Sequence, residues 1–240
     1  MTKKESREIV IPGEVVAEGN MLPGEGTEKR EGKIISLKYG LKDTSDRLVK
    51  IIPLSGVYQP RRGNIVIGKV EMITFNGWVV DIGIGENAFI PLMEVPRYVN
   101  KNDLEEVMGL GDMVVGKIWG INKRGIDLSL KSHGLGKIEE GIITRINPNK
   151  VPRVIGKEGS MISMVKEKTG CQITVGQNGI IWIKGEGIEK EILAKKAIEF
   201  IVEKSFISGL TEEVEKFFGK TTSQKAGEAL NKKTSEGGKK

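Results

Sequence analysis

Apolar positions along residues 9–60 fall in short runs, Val15-Val16, then Lys33-Ile34-Ile35-Ser36-Leu37, then Leu48-Val49-Lys50-Ile51-Ile52. Pro12-Gly13, Pro23-Gly24-Glu25-Gly26 and Gly40 separate them, and such turn residues predict hairpin-linked strands rather than helices. A small β domain is therefore expected over residues 1–62. From Gly63 a second series begins: Ile65–Met72, Trp78–Ile82, Ala88–Ile90, Met113–Ile118 and Ile126–Leu130, with one longer connection from Glu94 to Leu110. Five short strands at that spacing predict a Greek-key barrel of the OB type over residues 63–134.

The period then changes. Residues 141–146 read as a strand, Ser160–Thr169 as a helix that Gly170 can stop, and Cys171, Ile173 and Val175 alternate as a half-buried strand does. Ile180–Lys184 is another strand, and Ala194, Ala197, Ile198, Ile201 and Val202 recur at helical spacing between Glu189 and Glu203. The order over residues 135–208 is β-α-α-β-β-α, so the chain is expected to be multidomain, mainly β and then α+β. Residues 209–240 form a C-terminal extension that turns almost wholly polar from about 219, and disorder is expected there because no burial offsets the entropy of ordering it.

Composition agrees with several small cores rather than one large one: 240 residues, 38% hydrophobic and only 5% aromatic. The net charge of +6 favours polyanionic partners, but it is not concentrated, since residues 63–134 carry 7 basic against 9 acidic side chains. Cys171 is the only cysteine, which excludes a disulfide and a cysteine-based metal cluster within the chain and fits a reducing, cytoplasmic setting. The charged N-terminus and the lack of a long apolar run predict neither secretion nor a membrane partner.

The most specific local signal is Ile155-Gly156-Lys157-Glu158-Gly159-Ser160, two glycines joining an apolar turn to a helix. Such a loop lets a nucleic-acid backbone approach main-chain N–H groups at a helix N-terminus, where partial positive charge favours phosphate. Alone the pattern is more often a simple turn. Inside a β-α-α-β-β-α unit it resembles the type I KH fold, whose loop clamps the backbone of about four nucleotides. That resemblance assigns RNA contact to Gly156, Lys157, Glu158 and Gly159, flanked by Arg153, Ile155 and Ser160. Glu158 is a departure, because a carboxylate facing phosphate is unfavourable unless it points away; use of the scaffold for protein packing alone is the other reading.

In the barrel, Gly68-Lys69-Val70, Phe75 to Gly83, Gly111 to Ile118 and Gly125 to Lys131 resemble the S1 family through most of its length. S1 barrels hold single-stranded RNA by stacking bases on aromatic rings and attracting phosphates with basic side chains. By this resemblance Phe75 and Trp78 are the candidate platforms, and Lys123 with Arg124 on the neighbouring loop the candidate phosphate contacts. Phe75 lies in a turn and favours exposure, whereas Trp78 precedes an apolar strand and suits core or RNA equally.

With Ile11-Pro12-Gly13-Glu14, Leu22-Pro23-Gly24-Glu25-Gly26-Thr27 and Tyr58 to Gly68 ahead of these modules, the chain resembles the S1/KH cap subunits of the archaeal RNA exosome over roughly residues 8–208. The resemblance implies a non-catalytic RNA-binding subunit. It also implies a hexameric ring of RNase PH-like subunits as partner, carrying three copies alone or mixed with another cap subunit, with the N-terminal domain on the ring and the S1 domains around the RNA entry pore. Capture of single-stranded RNA there would promote its 3′-to-5′ degradation. The alternative is a free-standing S1/KH RNA-binding or translation-associated protein.

No cofactor or metal is expected. His133 lies in a Gly-rich junction, Cys171 begins a strand, and Asp81, Asp112 and Asp127 would form a metal site only if they converged.

Overall fold

The computed structural model describes residues 8–100, 103–205 and 209–219. The expected disorder of the tail from 220 lies outside them. Two compact units emerge: one reaches Tyr58 and includes Asn147–Asn149, and the other comprises the rest from Gln59.

The first unit contains β1 (Ile9–Val10), β2 (Val15–Glu18), β3 (Leu22–Pro23), β4 (Thr27–Arg30), β5 (Lys33–Ser36), β6 (Gly40–Ser45) and β7 (Leu48–Pro53). They form two small sheets, β1-β6-β7-β3 and β2-β5-β4. Val10, Val16, Ile34, Val49 and Ile51, drawn from both sheets, make the core. Glu31 and Gly32 close the β4–β5 hairpin with φ of 48° and 79°, as a two-residue loop matching strand twist requires. The β6 strand carries no apolar alternation, yet it pairs with β7 along its full length, from Gly40↔Pro53 to Ser45↔Leu48.

In the second unit, β8 (Ile65–Thr74), β9 (Gly77–Asp81), β10 (Ala88–Pro91), β11 (Met113–Asn122) and β12 (Gly125–Ser129) close a barrel. Its strand order is β12-β10-β9-β8-β11 with a further β11–β12 pairing, and β10 runs parallel to β12. A 3₁₀ turn at Leu92–Glu94 and α1 (Leu104–Val107) interrupt the long connection. Closure removes free sheet edges, and the wholly buried Val66, Trp78, Val80, Ile90, Ile118 and Leu128 contribute about 1.5–3 kcal/mol each for the large aliphatics. Strand β13 (Gly136–Ile138) extends the sheet beyond β11.

The KH fold follows as β14 (Ile142–Arg145), α2 (Val151–Ile155), α3 (Ser160–Thr169), β15 (Gln172–Val175), β16 (Ile180–Lys184) and α4 (Ile188–Glu203). The antiparallel sheet has the order β14-β16-β15. Gly170, at φ 68°, ends α3 by donating its N–H to Lys166 O at 2.8 Å. Ala194, Ala197, Ile198 and Ile201 place α4 over a core of Val154, Val165, Ile173, Ile181 and Ile183. A further helix over 210–219 adds Leu210, Val214 and Phe218, spaced four apart, to the same core, while Phe217 stacks on Phe200.

Barrel and KH fold share a joint. Ile67, Val115 and Ile180 are buried together, with Ile65, Met113, Ile138, Ile143 and Trp182 packed around them. Strand β8 is thus covered on both faces: Val66 and Val70 point into the barrel, and Ile65 and Ile67 toward the KH sheet. An unbroken Ile65-Val66-Ile67 run is what two-sided burial demands of a strand.

Candidate nucleic-acid interface

At the KH loop, α2 stops at Gly156, whose φ of 77° and ψ of 177° suit only glycine, although its N–H still donates to Pro152 O at 3.0 Å. A Cβ there would stand 2.7 Å from both Cβ and N of Met161. Lys157–Gly159 make one 3₁₀ turn, with Glu158 at φ 54°, and Gly159, at φ 80°, hands the chain to α3. A Cβ on Gly159 would meet nothing within 4 Å, so its backbone faces open space. The two glycines therefore differ: Gly156 permits tight packing of the loop on α3, and Gly159 leaves the main chain accessible at the positive end of a ten-residue helix. Buried Val154 and Met161 pin the loop on either side, while Arg153, Lys157, Glu158 and Ser160 are exposed and Ile155 is half-buried.

On the barrel, Phe75 is 79% exposed in the β8–β9 turn. Thr74 Oγ1 donates to Gly77 O at 3.0 Å, and Asn76 O accepts the N–H of Leu92 at 2.9 Å, which holds the turn in place. Trp78 is corrected from candidate platform to core residue. It is 0% exposed, its ring lies inside the barrel, and its Nε1–H donates to Met108 O at 2.9 Å, so no base can stack on it. The β-strand period explains this: Trp78, Val80 and Ile82 point inward, and Val79 and Asp81 outward.

Lys123 and Arg124 are exposed in the β11–β12 turn, but that turn does not adjoin Phe75 as expected. Gly77 pairs with Pro91 at the Phe75 end of β9, whereas Val80, Ala88 and Ile126 pair at the other end, next to the basic turn. The aromatic and basic turns thus bracket the outer face of β9, β10 and β12 from opposite ends, about 13 Å apart along β9.

Across that face run Val79, Phe89 and Asp127, neighbours in register. Phe89 is half-buried, and a Cβ on Gly77 would fall 2.8 Å from its Cζ, so the ring lies across this glycine between the two turns. Sequence reasoning passed over Phe89; the alternation of buried Ala88, outward Phe89 and buried Ile90 was the available signal.

The acidic groups are engaged locally. Asp81 accepts from Gly83 N at 2.7 Å and Asp127 from Asn122 Nδ2 at 2.8 Å. Asp112 takes Lys137 Nζ and Gly109 N, both at 2.7 Å, and the Lys137 hydrogen bond holds its carboxyl below the usual aspartate range. Hydrogen bonding from Ser129, with help from Lys131, likewise lowers Glu94. Among the described residues no group of three or more His, Cys, Asp or Glu is arranged to hold a metal ion.

A family model described as the exosome RNA binding protein RRP4 N-terminal domain matches residues 7–55, and a KH domain model matches 141–188. The exosome complex component Rrp4 of Methanobrevibacter smithii is 42% identical over 211 residues, covering 88% of this chain and 70% of that protein. The Rrp4 of Methanothermus fervidus is 42% identical over 212 residues, covering 88% and 95% of the two chains. A crystal structure of a candidate exosome complex RNA-binding protein aligns with a TM-score of 0.64 and 33% identity, covering 71% of this chain and 99% of its own. With such identity over most of its length, the chain belongs to the Rrp4 family of exosome complex components.

Proposed function

We propose that this protein is a non-catalytic cap subunit: it captures single-stranded RNA at the pore of a hexameric ring of RNase PH-like subunits and feeds the 3′ end inward for 3′-to-5′ degradation. The observation that carries the RNA-binding part is the Gly156–Gly159 loop, an open main chain at the start of α3 with Arg153 and Lys157 exposed beside it. The barrel face bracketed by Phe75 and the Lys123–Arg124 turn supplies a second surface of the kind that binds single strands. Three copies on one ring would reinforce weak sites through effective concentration.

Docking by the N-terminal domain is supported by its exposed apolar side chains, Ile9, Ile11 and Leu22 among them, each more than half exposed on a small domain. The non-catalytic reading is supported by the side chains available for chemistry. His133 is an exposed linker residue, Cys171 is buried, and Asp81, Asp112 and Asp127 each serve a local hydrogen bond.

The test is degradation of a 3′-tailed single-stranded RNA by the purified ring with and without this protein, alongside RNA binding by the protein alone. Binding without cleavage, with faster decay once the protein joins the ring, is the expected result. Binding with no physical or kinetic effect on the ring would replace the cap reading with a free-standing RNA-binding protein, and RNA decay by the protein alone would overturn the non-catalytic reading.

A further inference from the structure

Strand β11 does not pair with β12 residue for residue. Lys117 faces Ser129 and Ile118 faces Leu128, but the next pairing is Gly120 with Asp127, so Trp119 is one residue more than β12 can match. Such a bulge sets two residues opposite one partner and re-aims their side chains. Trp119 follows Ile118, which is wholly buried in the barrel, and is itself 43% exposed. Gly120 beside it adds no side chain to crowd the ring. Asp127 also pairs with Phe89, so Trp119 stands two strand spacings, about 10 Å, from Phe89 and extends the outer face of β9, β10 and β12 onto β11.

The surroundings of the indole are basic. Gly63 N donates to Ile118 O at 2.7 Å and Ile118 N to Asn64 O at 2.8 Å, which fixes the exposed Arg61–Arg62 turn against the bulge. Strand β11 ends three residues after Trp119 at the exposed Lys123–Arg124 turn, and Lys117 is exposed two residues before it. The connections at this end of the barrel, residues 61–64, 82–87 and 123–124, carry those two Arg-containing pairs against one carboxylate, Glu86. Asp127, opposite the bulge, accepts the Asn122 amide. Elsewhere on the barrel basic side chains are neutralised, Lys131 by Glu94 at 3.2 Å and Lys137 by Asp112 at 2.7 Å. Among the described residues, Arg62, Lys117, Lys123 and Arg124 form no ion pair.

We infer that Trp119 is a base-stacking platform for single-stranded RNA, with the Arg61–Arg62 and Lys123–Arg124 turns holding the phosphates on either side. The inference rests on the RNA-binding reading above and adds to it a site on β11. An exposed indole stacks on any base, and cations without carboxylate partners favour a polyanion over an apolar protein surface. The ligand is thus a nucleotide with its flanking phosphates, held with little regard for base identity.

The experiment uses the full chain and an unstructured RNA of about 12 nucleotides, followed by fluorescence anisotropy and by intrinsic tryptophan emission. Of the three tryptophans, Trp78 is wholly buried and Trp182 is half-buried with its Nε1–H donated to Glu140 O, so stacking should quench Trp119. Trp119→Phe should remove most of that quenching and keep most of the affinity, whereas Trp119→Ala should weaken binding on the order of tenfold. Thermal melting checks that each variant is folded.

Quenching that persists in Trp119→Phe, or a folded Trp119→Ala protein that binds RNA as wild type does, would overturn the inference and leave the RNA-binding reading standing. If that Trp119→Ala protein also failed to join the ring or a second copy, the indole would be a protein contact instead. Wild type that binds no RNA would remove the reading and the inference together.

Discussion

Replacing each loop glycine by alanine separates the two jobs of the Gly156–Gly159 segment. At Gly156 an added methyl must occupy a backbone region used almost only by glycine, costing about 1–3 kcal/mol, and it also falls 2.7 Å from Met161 N, a backbone atom that cannot swing aside. At Gly159 the φ of 80° and ψ of 7° lie in the left-handed region, costing about 1–2 kcal/mol, and there is no collision. At about 2–4 °C per kcal/mol for a unit of this size, Gly159→Ala should lower the melting temperature of the KH-containing unit by roughly 2–8 °C, and Gly156→Ala by roughly 2–12 °C from backbone strain, with the collision lowering it further. Both should weaken single-stranded RNA binding, the first by deforming the loop and the second by covering an open main chain. Differential scanning calorimetry and fluorescence anisotropy on the same preparations make the comparison. A Gly156→Ala protein that melts with wild type, or a Gly159→Ala protein that is the less stable of the two, would refute the argument from Met161.

Phe75→Ala should leave stability within about 0.5 kcal/mol and weaken binding of single-stranded RNA by about 1–3 kcal/mol, because an exposed platform is lost and no core is disturbed. Trp78→Ala should instead cost about 3–5 kcal/mol of stability in urea unfolding, since a wholly buried ring and its bond to Met108 O disappear; similar stability losses in the two variants would contradict the assignment. Neutralising Lys123 and Arg124 together should make the plot of log affinity against log salt shallower by about 1.4, about 0.7 for each phosphate contact, with an unchanged slope counting against contact there. The Asp112 carboxyl titrates lower folded than unfolded, so its stabilisation is complete above the unfolded value and is lost as pH falls through the folded one. The stability difference between wild type and Asp112→Asn should therefore shrink on acidification below the carboxylate range, and a difference that stayed constant would show that Lys137 does not set it.

Apolar periodicity made the barrel strands, the β-α-α-β-β-α order and the Gly170 helix stop legible before any coordinates, because each depends on neighbours a few residues away. The same locality hid β6: Gly40-Leu41-Lys42-Asp43-Thr44-Ser45 has no strand pattern, and its six residues are held by the ladder to β7. Leu210, Val214 and Phe218 went unread as a helical stripe, because only packing on α4 and the KH sheet gives them a core to join. Among the candidate site residues, the loop glycines were read from their own segment, and the structure added that their reasons differ. Trp78, Phe89 and the Lys123–Arg124 turn could not be placed in that way, since which face of a strand becomes the inside of a barrel, and which loops share an end, follow from closure of strands far apart in the chain. Asn178 is the extreme case. In sequence it is an ordinary turn residue; only folding brings its amide to Ile67 and Ile82, where three hydrogen bonds to buried main chain turn a hairpin tip into the joint between two modules. Sequence by itself determined the modules and most of their elements, because short-range pattern encodes them, and tertiary structure alone decided which side chains are buried and which loops share an end, because those depend on contacts between residues distant in the chain, 30 positions for Trp78 and Met108 and 96 to 111 for Asn178 and the barrel.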